Sequence, residues 1–267
     1  MTETDARIPS RGREIDCYLV TPDEVRPRHP AVVVIHEIFG PDAHIRDVTR
    51  RFAGQGYVAA APNLFSGDDA RLLTPQNIHR ALASMATVPP EVRRDPAKMA
   101  EFAAAQPVEI RPIMEVFGRV NQPTAQVGFA EDLLAVTRFL RGLPGVDPAR
   151  VGSVGFCFGG SLSARLATVD PELRAAVIFY GQNPPLTDVP KIRASMLGLY
   201  ASEDPGITGT VPQLAEAMRR AGLRFDYHIY SGAKHAFFND TRPNYHRESA
   251  VDAWPRVLAF LGKELGA

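Results

Sequence analysis

The stretch that decides the fold is Val151-Gly152-Ser153-Val154-Gly155-Phe156-Cys157-Phe158-Gly159-Gly160. It begins as a strand and runs into the small-residue helical sequence Ser161-Leu162-Ser163-Ala164. Between the two, a Gly-x-Cys-x-Gly pattern places a thiol at a sharp strand-to-helix turn. A nucleophile on such a turn has a strained backbone, and a Cβ at Gly155 or Gly159 would collide with neighbouring chain. The turn exposes the side chain at the carboxyl edge of a sheet, where a helix N-terminus favours the thiolate. A cysteine taken alone reads as a small buried hydrophobe. The flanking glycines and the strand–helix setting reverse that reading for Cys157. Cys17 shares an alternating strand face with Ile15 and Leu19 and reads as structural.

Outward from this turn, strands and helices alternate. Ala31 to His36 is apolar until its last residue, as expected of a central strand covered on both faces. Ile15 to Val20 alternates, which predicts a half-buried antiparallel or edge strand. Further strands are expected at Tyr57–Ala61, Arg150–Gly155, Ala175–Tyr180, Ser195–Tyr200 and Phe225–Tyr230. Helical spacing marks Ile45 to Ala53, Phe129–Leu140, Phe158–Ala167, Val211–Ala221 and Arg247–Leu265. In the last of these, Val251, Trp254, Leu258 and Leu261 form the expected apolar stripe. The alternation predicts an α/β fold with a doubly wound, mostly parallel sheet, in a single domain spanning 1–267.

Residues 65–127 break the rhythm. Patterns such as Ile78-Leu82-Met85 and Met99-Phe102-Ala103 are helical, and prolines divide them into short pieces. A structureless loop of this length is improbable in a compact domain. The segment reads as a helical insertion over one edge of the sheet, with a plain helical crossover as the alternative.

Composition narrows the function. Thirty Lys plus Arg balance thirty Asp plus Glu, so no electrostatic footprint for nucleic acid or an anionic membrane exists. No apolar run reaches membrane-spanning length, and the polar N-terminus has no signal-peptide core. The expected setting is cytoplasmic. The seven histidines show no metal-ligand spacing, and the glycines before Ser161 lack the ending of a phosphate-binding loop. Neither a metal nor an organic cofactor is expected.

A thiol nucleophile needs a base, and the base needs an orienting group. On this kind of scaffold the chain order is nucleophile, acid, histidine. His235, in the loop after Phe225–Tyr230, is the expected base; His228 falls inside the strand and His246 near the final helix. The turn after Ser195–Tyr200 offers Asp204, with Glu203 as the second choice. Two backbone amides, those of Ile38 and Phe158, are expected to form an oxyanion hole. Glu37 ends an apolar strand, where a carboxylate is unfavourable without a partner. His36 is expected to turn into a local hydrogen bond.

These residues resemble the dienelactone hydrolase (carboxymethylenebutenolidase) family of the α/β-hydrolase fold. The similarity rests on His36-Glu37-Ile38-Phe39-Gly40, Gly155-Phe156-Cys157-Phe158-Gly159-Gly160, the Asp204 turn, and His235-Ala236-Phe237 with Asn239-Asp240-Thr241-Arg242-Pro243. The resemblance implies a Cys157–His235–Asp204 triad, and a Glu37 carboxylate that helps convert the thiol to thiolate when substrate arrives. It also implies two arginines that grip a substrate carboxylate, but this chain has Gly67 and Asn239 at those positions. Arg71 or Arg242 could substitute, and Phe237 and Asn239 are further candidates for substrate contact. Ala236 stands where those enzymes have a serine. The implied activity is hydrolysis of a small lactone or activated ester. General short-chain ester hydrolysis is the alternative, and a non-catalytic thiol sensor on the same scaffold is a third reading.

Overall fold

The computed structural model describes residues 1–266 apart from 25, 68, 94 and 121. Its strands are β1 (Thr2–Ser10), β2 (Arg13–Thr21), β3 (His29–Ile35), β4 (Val58–Pro62), β5 (Val146–Phe156), β6 (Ala175–Phe179), β7 (Ser195–Ala201) and β8 (Phe225–Tyr230). They form one sheet in the order β1-β2-β4-β3-β5-β6-β7-β8. Strands β4 to β8 run parallel along this order, and β1 and β2 pair antiparallel at one end.

Every residue of β3 is buried. Ala31, Val33 and Ile35 point into one core, and Val32 and Val34 into the other. Side chains alternate across a strand, so a sheet covered on both faces needs an unbroken apolar run. Helices α1 (Ala43–Gly54) and α10 (Arg247–Leu265) cover one face. Helices α6 (Pro123–Gly142), α7 (Phe158–Val169) and α9 (Val211–Arg220) cover the other, and the short α8 (Pro205–Thr208) follows β7.

The Ile15–Val20 strand pairs antiparallel on both sides, the first of its two expected settings. It lies one place inside the sheet because the polar Thr2–Ser10 segment, for which no strand was expected, pairs along its outer side as β1. That pairing is made by backbone hydrogen bonds, and most β1 side chains stay exposed, so no apolar pattern announces it. One expectation for the fold, the apolar stripe of α10, is corrected: the buried stripe is Ala250, Ala253, Val257, Phe260, Leu261 and Leu265, and Val251 is exposed. The stripe is rotated from the expected one. Pro255 consequently faces solvent, where its missing N–H leaves no buried carbonyl unpaired, and the helix runs through it.

The β1–β2 hairpin is anchored to α6 through Asp132, which is fully buried. Its carboxylate accepts from Ser10 Oγ at 2.7 Å and from Arg11 Nε and Nη2 at 2.9 and 2.8 Å, and Arg13 pairs with it as well. Gly128 is what makes room for this: a Cβ there would run into the Arg11 guanidinium.

The interval 65–127 is helical, with α2 (Pro75–Ala86), α3 (Pro90–Arg93), α4 (Pro96–Ala104) and α5 (Arg111–Val120). Pro75, Pro90, Pro96 and Pro123 each begin a helix, where the missing N–H has no partner to lose. Leu82 of α2 and Phe117 of α5 reach the pocket at the carboxyl ends of the strands. No described helix is long and apolar enough to cross a membrane.

Candidate active site

At the end of β5 the chain turns sharply at Cys157 (φ 55°, ψ −112°) into α7. A positive φ is strained for a residue with a Cβ, and the neighbouring glycines allow it. A Cβ on Gly155 would strike the Gly159 carbonyl, and one on Gly159 would strike the carbonyls of Ile35 and His36. A hydrogen bond from Cys157 N to Phe179 O (3.0 Å) fastens the turn to β6.

The histidine and aspartate loops are fastened to each other. Glu203 N donates to Ala233 O at 2.9 Å, and Gly232 N donates to Ser202 Oγ at 2.9 Å. With the loops so joined, His235 Nδ1 lies 2.6 Å from Asp204 Oδ2. Burial acts against charge on this imidazole, but the hydrogen bond to Asp204 and the nearby Cys157 sulfur outweigh it and raise the ring to about 10. Cys157 and His235 line one pocket of about 740 Å³, with Ile38, Phe158 and Tyr180. Neither the Ile38 nor the Phe158 amide donates to any acceptor among the described residues. The structure thus brings together Cys157, His235, Asp204, Ile38 and Phe158. Glu203 is exposed and stays outside.

Glu37 is buried, with no arginine paired to it among the described residues. Its Oε1 accepts from the Tyr180 hydroxyl at 3.2 Å and its Oε2 from Asn239 Nδ2 at 2.8 Å. Burial pushes this carboxyl up, and the Asn239 hydrogen bond partly opposes the shift. Tyr180 was not singled out in the sequence beyond closing a strand. It adopts φ 39° at the end of β6, lines the pocket and sets its ring 5.1 Å from that of His235. A position at the carboxyl end of a central parallel strand was the available signal.

His36 is fully buried and turned away from the pocket. Its Nε2 accepts from Leu64 N at 3.2 Å, so the proton sits on Nδ1, which donates to the Glu37 carbonyl. Burial pulls this imidazole down to about 4.

The expected substrate contacts are placed elsewhere. Phe237 is fully buried and packs edge-on against Tyr180, with ring centroids 5.4 Å apart. Asn239 is fully buried on Glu37. The left-handed backbone at Ala236 (φ 66°) reverses the chain after His235 and sends both residues into the core. Arg242 stacks on Phe39 at 3.9 Å and pairs with Asp42 at 3.3 Å, and Arg71 is exposed in the turn region after β4. None of these four lines the pocket. Among the described residues, no three His, Cys, Asp or Glu side chains are grouped to hold a metal ion.

Comparison with known proteins identifies the family and the fold. The model of the dienelactone hydrolase family matches residues 15–265. The chain is 37% identical over 260 residues to a Saccharolobus solfataricus protein named "Putative carboxymethylenebutenolidase", covering 97% of this chain and 98% of the other. A Methylorubrum extorquens protein of the same name is 33% identical over 266 residues, covering 95% and 78%. Among solved structures, a "Putative Dienelactone Hydrolase" from Klebsiella pneumoniae superposes with a TM-score of 0.72 at 30% identity, covering 98% of both chains. The match runs through the elbow, the aspartate turn and the histidine loop, and the chain belongs to the dienelactone hydrolase family, hydrolases of esters and lactones on the α/β-hydrolase fold.

Proposed function

We propose that the protein hydrolyses a small lactone or activated ester through Cys157 as nucleophile. The observation that carries this reading is the 2.6 Å contact of His235 with Asp204 on a ring that shares its pocket with the Cys157 sulfur. An imidazole held protonated to about 10 stabilises a thiolate beside it.

The thiolate attacks the substrate carbonyl carbon, and the amides of Ile38 and Phe158 receive the developing oxyanion. Each such donor is worth roughly 3 kcal/mol of transition-state stabilisation. Collapse of the tetrahedral adduct breaks the ester C–O bond, and the departing alkoxide takes a proton from the His235 imidazolium. This leaves a thioester on Cys157 and a neutral imidazole. His235, oriented by Asp204, then accepts a proton from water as the hydroxide attacks the thioester. The acid leaves, and thiolate and imidazolium are restored.

Glu37 and Tyr180 act as positioning residues. Both Glu37 oxygens are engaged by Tyr180 and Asn239, so its influence on the sulfur passes through the Tyr180 ring rather than by contact. Replacing the nucleophile tests the reading. Cys157→Ala is expected to lower kcat for a 4-nitrophenyl ester by about a thousandfold or more, and turnover near that of the unaltered protein would refute the thiol's role.

A further inference from the structure

Arg242 lies outside the pocket, yet it grips the loop that carries one of the two oxyanion donors. Its guanidinium stacks on the Phe39 ring at 3.9 Å, and its Nη2 donates to Asp42 Oδ2 at 3.3 Å. The other Asp42 oxygen accepts from Ile45 N at 3.2 Å and caps α1. Phe39 also stacks with His79 of α2, ring centroids 4.6 Å apart. His79 Nδ1 donates to the Pro75 carbonyl at 2.7 Å, which leaves Nε2 to accept from Arg242 Nη1 at 2.9 Å. An exposed ion pair would mean little, but the Arg242 and Asp42 side chains are only 19% and 18% exposed. One arginine thus ties the loop after β3 to α2 and to the turn that follows His235, where Arg242 N donates to Asn239 O at 3.1 Å.

That loop sets the direction of the Ile38 N–H. A peptide unit is planar and trans, so the Ile38 N–H points opposite to the Glu37 carbonyl. This carbonyl accepts from His36 Nδ1 and from Gly40 N, the latter at 3.3 Å, while Ile38 lines the pocket. The Gly40 bond is long and closes a turn whose last residue is a left-handed glycine (φ 80°). Such a bond holds a peptide plane weakly. Clamping Phe39 and Asp42, one on each side of Gly40, takes up the freedom the turn would otherwise have. An oxyanion donor is effective when its angle is set before the reaction.

We propose that Arg242 is a positioning residue: by clamping Phe39 and Asp42 it holds the Ile38 amide at the angle that receives the substrate oxyanion. This rests on the ester-hydrolase reading of the pocket. Through His79 the same arginine links that loop to α2, whose Leu82 lines the pocket one turn further on.

The experiment sets ester turnover beside alkylation of the same sulfur. Attack on an ester carbonyl builds a negative oxygen. Attack on iodoacetamide forms an S–C bond at a saturated carbon and expels iodide, so no oxyanion develops. Arg242→Lys keeps the charge but loses the planar fork. In that variant kcat for 4-nitrophenyl acetate is expected to fall about tenfold or more with KM little changed, while Cys157 alkylation stays within about twofold. Phe39→Leu removes the ring, leaves the arginine and should give the same contrast. Turnover within about twofold of the unaltered protein in both variants overturns the proposal. So do equal losses in the two reactions, because a defect passing through the thiolate would slow both. If the unaltered protein turns over no ester, the hydrolase reading fails, and hydrogen–deuterium exchange at residues 38–42 decides the clamp. Exchange about tenfold faster in Arg242→Lys, with residues 157–161 unchanged, upholds it, and unchanged exchange at 38–42 overturns it.

Discussion

Asn239 Nδ2 donates to Glu37 Oε2 at 2.8 Å, joining the loop after β3 to the loop after β8 across 202 residues of sequence. With the Tyr180 hydroxyl on the other oxygen, the bond accounts for an acid at the end of an apolar strand. Its partners are neutral donors, which satisfy the carboxyl whether or not it carries charge.

Removing one donor leaves a buried oxygen unsatisfied. Asn239→Ala is therefore expected to destabilise the fold by about 2 kcal/mol, read as a lower urea midpoint with an unchanged slope. Asn239→Asp should be worse at neutral pH, where two carboxylates would face each other, and should recover part of the loss in acid. Equal midpoints for all three proteins would mean that the bond carries no stability.

Folding raises His235 from 6.5 to about 10, so its contribution is fully present below about 6.5 and is lost as pH rises through about 10. The alkaline limb of kcat/KM for an aryl ester should accordingly lie near that upper value. Asp204→Asn removes the leading contribution that raises the ring, and should bring the limb down toward neutrality while lowering kcat by at least about tenfold. A limb that stays in place in Asp204→Asn would show that the carboxylate does not hold the imidazole charged.

His36 behaves in the opposite sense. Its ring is fully buried and falls from 6.5 to about 4, so the neutral form belongs to the folded state. The stability it confers is complete above 6.5 and is lost as pH falls toward 4, on the order of 3 kcal/mol over that window. His36→Gln has no proton to take up there. Its stability should decline less between these pH values than that of the unaltered protein, and parallel declines would contradict the assignment.

The elbow was legible in the sequence because its glycines answer a hard steric demand: Gly155 and Gly159 approach backbone that leaves no space for a Cβ. The sheet was legible because β3 feeds two cores with alternate residues, which forces a continuous apolar run. Strand β1 was not, since backbone pairing at an edge requires no apolar side chains. The α10 stripe was misplaced at Val251, which is apolar by type yet exposed, whereas Trp254 and Leu258 pack at the margin of the core and the residues that meet the sheet include the small Ala250 and Ala253. Phe237 and Asn239 look like site residues from their nearness to His235, yet a single left-handed residue, Ala236, turns them inward.

The most direct test of the central claim is the mass of the Cys157 peptide from His235→Ala protein, acid-quenched after brief exposure to a 4-nitrophenyl ester. Without the base that activates water, the acyl group should remain on the sulfur, and the peptide should carry the acyl mass with one equivalent of nitrophenol released. An unmodified Cys157, or an acyl group on a different side chain, would contradict covalent catalysis by this thiol.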